Sequence, residues 1–599
     1  MRVAFLFYLS SAMLSRLAYT VCAVVILYIS LFYLPKWKAG AGTESSFGWD
    51  ASTYYWYLPA TFIYRDLKEQ KFGDSIIARY GFTPSFSQSF VHSSGNRVIT
   101  YSSGVALLCL PAFAAAHVVA EPMGYQADGF SKPYQAAVQV WAVLAGLVGL
   151  WYFRKLLRLY FRDKIVAILL LMLVLGTNYL NYAAYDATIT HSYLFTIYVL
   201  LLLNTHHFYI DPQRRYAIRI GLLAGLAVLV RPSEMIVLVI PLLWGMESLS
   251  RSAVYERMSF LKKNRRYILS AVAAGLIVCS VQVIYWLYVA GRPLVYSYDD
   301  KTFSWLSPHT WKYLTSYDSG WILYSPMALF IVTGIVPFVK YGRNRVAILT
   351  FFILNLYVVS AWDIWWYSGI GGRAMVQSYA VIFFIAGTCI ESVMGKKLLR
   401  CIVVPIMLLF MYLNLWFFYQ AHAADSLYNP VHMSKRYYWR VLGKWKVNKE
   451  VLKLQDARNI YTGPICDKQL LYQDDFQKTA TGELSVLAGK NSARFTINYA
   501  KSGREWIRVE ATYKCSSPEY DEWKMMRTRF HFINGEKEVM GEDWKPQRFL
   551  RNDDAVHIHY DIVVPKQDFD KLQVSFLNET GRYDIAVDDL LISSYNSCR

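Results

Sequence analysis

The chain has 599 residues, of which 55% are hydrophobic, 17% aromatic and 18% charged, and its net charge is +19. Soluble domains average about 45–50% apolar and about 25% charged residues, so this composition excludes an ordinary soluble enzyme and a disordered chain. The excess of Lys and Arg is expected in cytoplasmic loops beside anionic lipid. Because no basic, polar domain is set apart, nucleic-acid binding is the weaker interpretation.

The first long apolar segment, 17–34, follows Arg2 and Arg16 and is not followed by a small-residue cleavage site. We therefore predict an uncleaved first transmembrane helix whose N-terminus is cytoplasmic. Eight further segments approach the ~17–25 residues that one crossing needs. They are 135–153, 165–180, 191–205, 268–290, 322–339, 346–361, 374–390 and 401–419.

The loops between these segments alternate in charge, which predicts their sides. Twenty Lys and Arg lie in the five loops 154–164, 211–219, 251–266, 340–345 and 395–400. Only five lie in the four intervening loops 181–190, 231–234, 291–321 and 362–373. By the positive-inside rule the first set is cytoplasmic and the second set is extracytoplasmic.

Three shorter apolar segments complete the topology. Segments 220–230 and 235–246 lie between two basic loops, so we predict two short helices that go out and return, with a turn at 231–234 inside protein or a wet cavity. Segment 101–120 is predicted to be an interfacial helix on the outer face. This gives about eleven crossings and an extracytoplasmic C-terminal tail.

The long first outer loop, 35–133, is expected to be functional. Within it, 52–65 is rich in Tyr and Trp, and its pattern predicts an amphipathic helix in the headgroup layer. A transmembrane domain would therefore cover 1–420, with this loop as its main extracytoplasmic insertion.

The tail after residue 420 changes character. We predict a partly helical linker at 421–467, and at 468–599 the period-two alternation of apolar residues predicts an antiparallel, jelly-roll-like β-sandwich. Its role is either that of a structural cap or that of a carbohydrate-binding module. Cys466, Cys515 and Cys598 allow one disulfide and leave one thiol over. No CxxC motif occurs, so no structural zinc is expected.

The outer loops carry the candidate catalytic side chains. Asp50 is either the N-cap of the aromatic helix or a general base at the water–lipid boundary. Asp186 either caps the next helix or acts as a second acid, and His191 starts that span. These side chains could bind a divalent cation, but no spacing motif requires one, so the cofactor remains unknown.

Two arginines are candidates for binding phosphate. Arg373 ends a Gly-rich aromatic loop, 362–373, where glycines would let the backbone approach a ligand; alternatively it snorkels from an aromatic belt. Arg231 in the turn either binds phosphate or pairs with Glu234. The sequence contains no P-loop, GxSxG or HExxH motif, and Asn578-Glu579-Thr580 is only a weak glycosylation sequon.

The order of these features resembles the GT-C superfamily of glycosyltransferases, in particular protein O-mannosyltransferases and the aminoarabinose transferases of lipid A. The resemblance covers roughly 1–420 and depends on four stretches. They are Asp50 with the aromatic helix after it, Tyr101-Ser102-Ser103-Gly104, the glycine-containing stretch 221–232, and Trp365-Trp366-Tyr367 with Gly372-Arg373.

The resemblance implies transfer of a sugar from a polyprenyl-phosphate donor on the outer face, with inversion. It implies Asp50 as general base, Asp186 as second acid, and Arg373 with Arg231 at the donor phosphate. His191, Tyr54, Tyr55 and Trp366 are expected to support the site.

The expected partners are a lipid-linked sugar donor, membrane lipids and a glycan, lipid or protein acceptor, in the bacterial inner membrane. Because Ala51 stands where protein mannosyltransferases often carry Glu, a protein acceptor is less favoured. A transporter or flippase, or a polymerase or ligase for lipid-linked glycans, remains the alternative.

Overall fold

The computed structural model describes most of the chain. The described residues are 13–298, 301–367, 369–423, 426–428, 433–456, 461–479, 481–492, 494–515, 525–546, 549–550, 555–581 and 583–598. The chain divides into two compact units, Met1–Tyr419 and Gln420–Arg599. We inferred a boundary near residue 420 and a linker at 421–467 from composition alone, and the linker remains a prediction.

The first unit is helical. Its α-helices are α1 (Met13–Tyr28), α2 (Lys36–Ala39), α3 (Asp50–Tyr55), α4 (Tyr57–Phe62), α5 (Gly73–Tyr80), α6 (Gly104–Ala120), α7 (Lys132–Leu157), α8 (Asp163–Gly176), α9 (Thr190–Ile210), α10 (Arg214–Val230), α11 (Val239–Leu243), α12 (Arg251–Lys263), α13 (Arg265–Ala290), α14 (Thr310–Thr315), α15 (Trp321–Tyr324), α16 (Leu329–Tyr341), α17 (Arg345–Ala361), α18 (Tyr379–Met394) and α19 (Lys397–His422). One hairpin, β1 (Ser89–Val91) and β2 (Arg97–Ile99), interrupts them.

Five helices among the described residues are long and apolar enough to cross a membrane: the helix beginning at Met13, then α7, α9, α13 and α19. Five shorter apolar helical stretches accompany them: Gly104–Ala120, Pro232–Leu243, Pro326–Tyr341, Arg345–Ala361 and Tyr379–Met394. The chain is thus a multi-pass membrane protein. The total of eleven crossings and the sidedness remain predictions.

Several predicted spans are interrupted in the structure. The segment predicted at 322–339 is α15, a 3₁₀ turn at Pro326–Ala328 and α16, because Pro326 lacks an N–H and begins a new helix at N1. Likewise Pro232 opens a 3₁₀ helix, Pro232–Leu238, in place of the start of the predicted second short helix. The first of these short helices is longer than predicted, since α10 begins at Arg214.

The predicted amphipathic helix at 52–65 is wrong in one respect. The segment is helical as α3 and α4, but residues 51–60 are all buried, so no face of this stretch is left for lipid headgroups. Trp56 is fully buried and stacks on Phe72 at 5.2 Å between ring centroids, and Tyr55 stacks on Phe47 at 4.2 Å. The first outer loop therefore has an aromatic core of its own.

Glycines bring α10 and α13 into close contact. A Cβ at Gly221 would lie 1.9 Å from the carbonyl oxygen of Ala271, and one at Gly225 would lie 2.6 Å from that of Gly275. Small residues four apart let two backbones approach in this way. The glycines of the 221–232 stretch thus serve helix packing, and this packing fixes the end of α10 where Arg231 follows.

Among its described residues the second unit contains three short helices and two antiparallel sheets. The helices are α20 (Lys435–Val441), α21 (Lys449–Leu452) and a 3₁₀ turn at Lys453–Gln455. The strands are β3 (Ile465–Asp474), β4 (Leu484–Val486), β5 (Phe495–Asn498), β6 (Trp506–Cys515), β7 (Arg527–Asn534), β8 (Lys537–Trp544), β9 (Val556–Val563), β10 (Lys571–Leu577) and β11 (Ile585–Ser597).

The strand orders are β5-β10-β7-β8 and β3-β11-β6-β9, with β4 paired to β11. Alternating side chains of both sheets, such as Ile507 and Val509 of β6 and Phe530 and Phe532 of β7, join one apolar core. The predicted C-terminal β-sheet region is thus confirmed, while a jelly-roll topology stays a prediction. Cys466 and Cys598 form a disulfide across 132 residues, and Cys515 is the thiol left over.

Candidate active site

A strained turn places Asp50. A Cβ at Gly48 would lie 1.8 Å from the carbonyl oxygen of Thr43, so only glycine fits there. Trp49 has a φ of 53°, and its N–H donates to the carbonyl oxygen of Phe82 at 3.0 Å. A non-glycine residue with positive φ costs backbone energy that the surrounding fold must repay. The turn projects Asp50 as the first residue of α3.

Both oxygens of the Asp50 carboxylate have partners. The hydroxyl of Tyr101 donates to Oδ1 at 2.9 Å, and Nη2 of Arg373 donates to Oδ2 at 2.9 Å. Trp49, not Asp50, is the N-cap of α3, and no side chain caps that helix. The N-cap interpretation of Asp50 is therefore wrong.

Arg373 keeps unused hydrogen-bonding capacity. Its guanidinium lies over the ring of Tyr367, 4.0 Å from the centroid. Its Nε is buried and has no hydrogen-bond partner among the described residues. Burial lowers the pKa of Arg373, but the charge of Asp50 and the surrounding tyrosines outweigh burial and raise it, so Arg373 remains a cation.

The glycines before Arg373 approach protein groups. Gly369 has a φ of 130°, and a Cβ there would lie 2.3 Å from the hydroxyl of Tyr182. At Gly372 a Cβ would lie 2.6 Å from that of Trp321. Their structural role is to press this loop against its neighbours, whereas the sequence suggested close approach to a ligand. The result is a fixed position for Arg373.

Arg231 belongs to a buried polar network. Its Nη1 lies 3.7 Å from Oε1 of Glu234, the partner that the sequence offered as its alternative role. The hydroxyl of Tyr198 donates to Oε2 of Glu234 at 2.6 Å, and Nε2 of Gln377 donates to Oε1 at 2.9 Å. Oε1 of Gln377 in turn lies 3.0 Å from Nδ1 of His191. The fully buried His191 therefore holds Gln377, and its Nε2 has no partner among the described residues.

Arg231 is also electrostatically close to the Asp50 cluster. Burial raises the pKa of Tyr298 to about 12, and the charge of Arg231 opposes that rise. Burial also raises the pKa of Tyr54, and the charge of Arg231 again opposes the rise. The ring of Tyr54 stacks on that of Tyr101 at 4.5 Å between centroids. Burial, with the charge of Asp50, holds the pKa of Tyr101 well above its usual range, so its hydroxyl stays a donor. The guanidinium of Arg373 thus contacts the carboxylate, and the charge of Arg231 acts on the same neutral phenols as Asp50 does.

Asp186 pairs with Lys36. Its Oδ1 lies 2.8 Å from Nζ of Lys36, and its Oδ2 accepts from Nδ2 of Asn181 at 2.9 Å. Asp186 does not cap α9, whose N-cap is Ile189. Its observed contacts tie α2 to the 181–190 loop.

The expected supporting aromatic residues differ in position. Tyr54 packs against Tyr101 in the Asp50 cluster. Tyr55 is fully buried and its hydroxyl donates to the carbonyl oxygen of Gly129 at 2.7 Å, so it belongs to the aromatic core. Trp366 lies within the 362–373 loop that ends at Arg373, and it is 40% exposed.

Four residues of the site were not singled out from the sequence: Tyr101 as a hydrogen-bond donor, Tyr298, Tyr367 and Gln377. Tyr101 and Tyr367 lie inside two stretches that carry the family resemblance, which was a usable signal. Tyr298 and Gln377 have no local signal, because their relevance arises from tertiary packing. No group of three or more His, Cys, Asp or Glu that could hold a metal occurs in the described part of the chain.

Comparison with known proteins gives structural neighbours only. No protein-family model matches the chain, and no curated protein matches it. The apo oligosaccharyltransferase of Archaeoglobus fulgidus matches at TM-score 0.40 and 11% identity, covering 65% of this chain and 52% of that one. ArnT from Cupriavidus metallidurans in the apo state matches at 0.37 and 14%, covering 70% and 68%.

A third match is the archaeal oligosaccharyltransferase AglB from Archaeoglobus fulgidus, in complex with an inhibitory peptide and a dolichol-phosphate. Its TM-score is 0.36 at 10% identity, with coverage of 67% of this chain and 54% of that one. These neighbours are GT-C glycosyltransferases. The chain spans about half the length of the archaeal enzymes it matches. At such TM-scores the likeness carries no functional conclusion, so function is inferred below from the residues of this chain.

Proposed function

We propose that this protein is a membrane glycosyltransferase. It takes a sugar from a polyprenyl-phosphate donor and transfers it to an acceptor hydroxyl on the outer face of the membrane, with inversion at the anomeric carbon. The single observation that carries the proposal is the Asp50 carboxylate held between Tyr101 and Arg373, with Arg231 close by. A carboxylate beside two guanidinium groups matches a reaction that needs a base and an anion-binding site together.

The proposed step is a single displacement. The acceptor oxygen attacks the anomeric carbon while the bond from that carbon to the phosphate oxygen breaks. The acceptor proton passes to Asp50 and from there to solvent, and polyprenyl phosphate leaves with one more negative charge than it had in the donor. Attack from the face opposite the leaving phosphate inverts the anomeric configuration.

The arginines would stabilise the charge that develops on the leaving phosphate. A guanidinium has five N–H donors, and Arg373 has a buried Nε without a partner among the described residues, so it can bind phosphate while it still contacts Asp50. Arg231 would supply the second cation. Phosphate drawn to Arg373 would also weaken its hold on Asp50, which would leave the carboxylate freer to accept a proton when donor is bound.

The choice of a lipid-linked donor follows from the predicted topology. The loops that carry Asp50 and Arg373 are predicted to be extracytoplasmic, where nucleotide sugars are not supplied. A sugar carried by a membrane lipid is then the available activated donor. The Asp186–Lys36 pair, 2.8 Å apart, we assign to holding the loops around the site.

The decisive experiment compares cells with and without the protein by mass spectrometry of their envelope glycans and lipids. The proposal expects one class of molecule to lose the mass of a single sugar in the deletion strain and to regain it with the wild-type gene. Loss of a whole oligosaccharide would favour a polymerase or ligase that uses a diphosphate-linked donor. Movement of a lipid-linked sugar across proteoliposomes without any glycosidic product would contradict the proposal and favour a flippase.

A further inference from the structure

A groove lies on the first unit, beside the C-terminal part of α9 and the N-terminal part of α10. It measures about 540 Å³ and is lined by residues of α7, α9 and α10. Asn204 and His207 line it, and they follow His191 of the polar network by 13 and 16 residues along α9, a distance of about 20–24 Å. The groove is therefore far from the proposed catalytic site.

The lining has a polar end and an apolar end. Towards the helix ends lie His207, Tyr216 and Arg219, and about one turn further along the helices lie leucines such as Leu203 and Leu222. His207 and Arg219 are exposed, and Leu222 is 41% exposed. In a membrane this order puts the polar groups at headgroup level and the leucines at the level of the acyl chains.

The charge around the groove is positive. Besides Arg219 in the lining, two further cations, Lys155 and Arg215, each lie over the ring of a lining tyrosine. Nζ of Lys155 lies 4.7 Å from the Tyr152 centroid, and the guanidinium carbon of Arg215 lies 4.8 Å from the Tyr216 centroid. No carboxylate occurs among the described residues that line it. One face of each tyrosine is thus covered by a cation, and Tyr216 also stacks on His207, which leaves less ring surface for the quaternary ammonium of a choline headgroup.

We propose that this groove binds one phospholipid with an anionic headgroup. The phosphate lies beside Arg219, and one acyl chain packs against Leu203 and Leu222. Free phosphate would satisfy Arg219 alone and would leave the leucine surface uncovered, so the occupant is a lipid. With the predicted topology this is the cytoplasmic leaflet, whose surface carries anionic lipid.

Native mass spectrometry of the purified full-length protein tests the site. The protein is incubated with phosphatidylglycerol or phosphatidylcholine of the same acyl chains. We expect the wild type to retain phosphatidylglycerol at least about tenfold better, because several cations near a headgroup add their separate attractions. Equal retention of the two lipids by the wild type would overturn the proposal without any variant.

Two variants locate the binding. Arg219→Gln should reduce retained phosphatidylglycerol about fivefold, the effect of one cation near an anionic headgroup. Arg251→Gln removes the same charge from the exposed start of α12 and should change nothing. An equal loss in both variants, or none in Arg219→Gln, would contradict binding at the groove. An excess of glycerol 3-phosphate should leave the lipid bound, and displacement would show a phosphate site instead.

Discussion

Nη2 of Arg373 lies 2.9 Å from Oδ2 of Asp50, although 323 residues separate the two in the chain. Neither side chain is fully exposed, at 17% for Arg373 and 28% for Asp50. In the proposed reaction the donor phosphate would compete with Asp50 for this cation. The proposed function thus assigns anion binding and base catalysis to one pair, and the first two predictions depend on it.

Asp50→Asn should abolish sugar transfer while the protein still folds. The amide keeps the shape of the side chain but cannot accept the acceptor proton, so we expect a loss of about 10²–10⁴-fold in rate. The measurement is complementation of the deletion strain, with the glycan product quantified by mass spectrometry. Asp74→Asn, an exposed carboxylate in the first turn of α5, is the matched control and should transfer normally. Full activity in Asp50→Asn would remove Asp50 from its proposed role.

Arg373→Lys should retain the charge and lose most of the activity. Lysine is a point charge that cannot donate to Asp50 and to a phosphate in the same fixed geometry. We expect a loss of about 10²-fold or more, as for removal of one donor from a site of developing charge. Arg292→Lys, an exposed arginine of the 291–321 loop, serves as the control. Wild-type product levels with Arg373→Lys would show that no geometry-specific donor is needed there.

The Arg231–Glu234 pair should couple strongly, because Glu234 is buried and the Arg231 side chain is only 18% exposed. Glu234 is 3% exposed, so removing it leaves a guanidinium without compensation, and Glu234→Gln alone should lower the free energy of unfolding by about 3 kcal/mol. The double variant Arg231→Met/Glu234→Gln should lose at least about 1 kcal/mol less unfolding free energy than the two single variants lose in sum, yet remain inactive. Thermal unfolding in detergent of the wild type, both single variants and the double variant measures this double-mutant cycle.

A more exposed pair provides the comparison for that cycle. Nε of Arg345 lies 3.1 Å from Oε2 of Glu247, at 28% and 43% exposure. Such pairs contribute about 0–1 kcal/mol, so this cycle should show little coupling. Equal coupling in the two cycles would mean that burial does not govern the Arg231–Glu234 interaction.

The sequence predicted the helical membrane unit, the C-terminal sheets and the loops that carry Asp50 and Arg373, because hydropathy and period-two alternation are local signals. It could not predict that Tyr54 and Tyr55 have different roles. Neighbouring residues on a helix point about 100° apart, so one faces the Asp50 cluster and the other the aromatic core.

Hydropathy and alternation did not reveal every break in the helices. A hydropathy window averages across Pro326, which opens a 3₁₀ helix inside the predicted span 322–339. The turn at Pro232 was predicted, but the 3₁₀ form of Pro232–Leu238 was not. The His191–Gln377–Glu234 contacts were equally hidden, because they join three separate elements through packing alone. Side-chain pairing at long sequence separation has no local pattern.

Asp363 should hold the 291–321 and 362–373 loops together down to mildly acidic pH. It accepts from the hydroxyl of Ser304 at 2.6 Å and from the backbone N–H and hydroxyl of Thr302. These hydrogen bonds lower the pKa of Asp363. A carboxylate with a lowered folded-state pKa contributes stability above its unfolded pKa, and that contribution is lost as the pH falls through the folded value. The wild-type contact should therefore persist at pH 5.

Hydrogen–deuterium exchange of residues 301–305 measures this contact. The wild type should show the same protection at pH 7 and at pH 5 after correction for the intrinsic rate, whereas Asp363→Asn should exchange several-fold faster at both. Asp318→Asn, a carboxylate elsewhere in the 291–321 loop, tests for a general effect of charge loss. Protection that disappears in the wild type between pH 7 and pH 5 would contradict the lowered pKa.

The disulfide should form in cells only if the C-terminal unit is extracytoplasmic. Disulfides persist in oxidising compartments and are rare in the cytosol. Of eight cysteines, only Cys466 and Cys598 form the disulfide, so denatured wild-type protein from intact cells should show six reactive thiols, and eight after reduction. Because the bond closes 132 residues, Cys466→Ser should destabilise the second unit by about 2–5 kcal/mol, whereas Cys401→Ser should not. Eight thiols before reduction would place this unit in the cytosol and would remove the topological basis for an outer-face site.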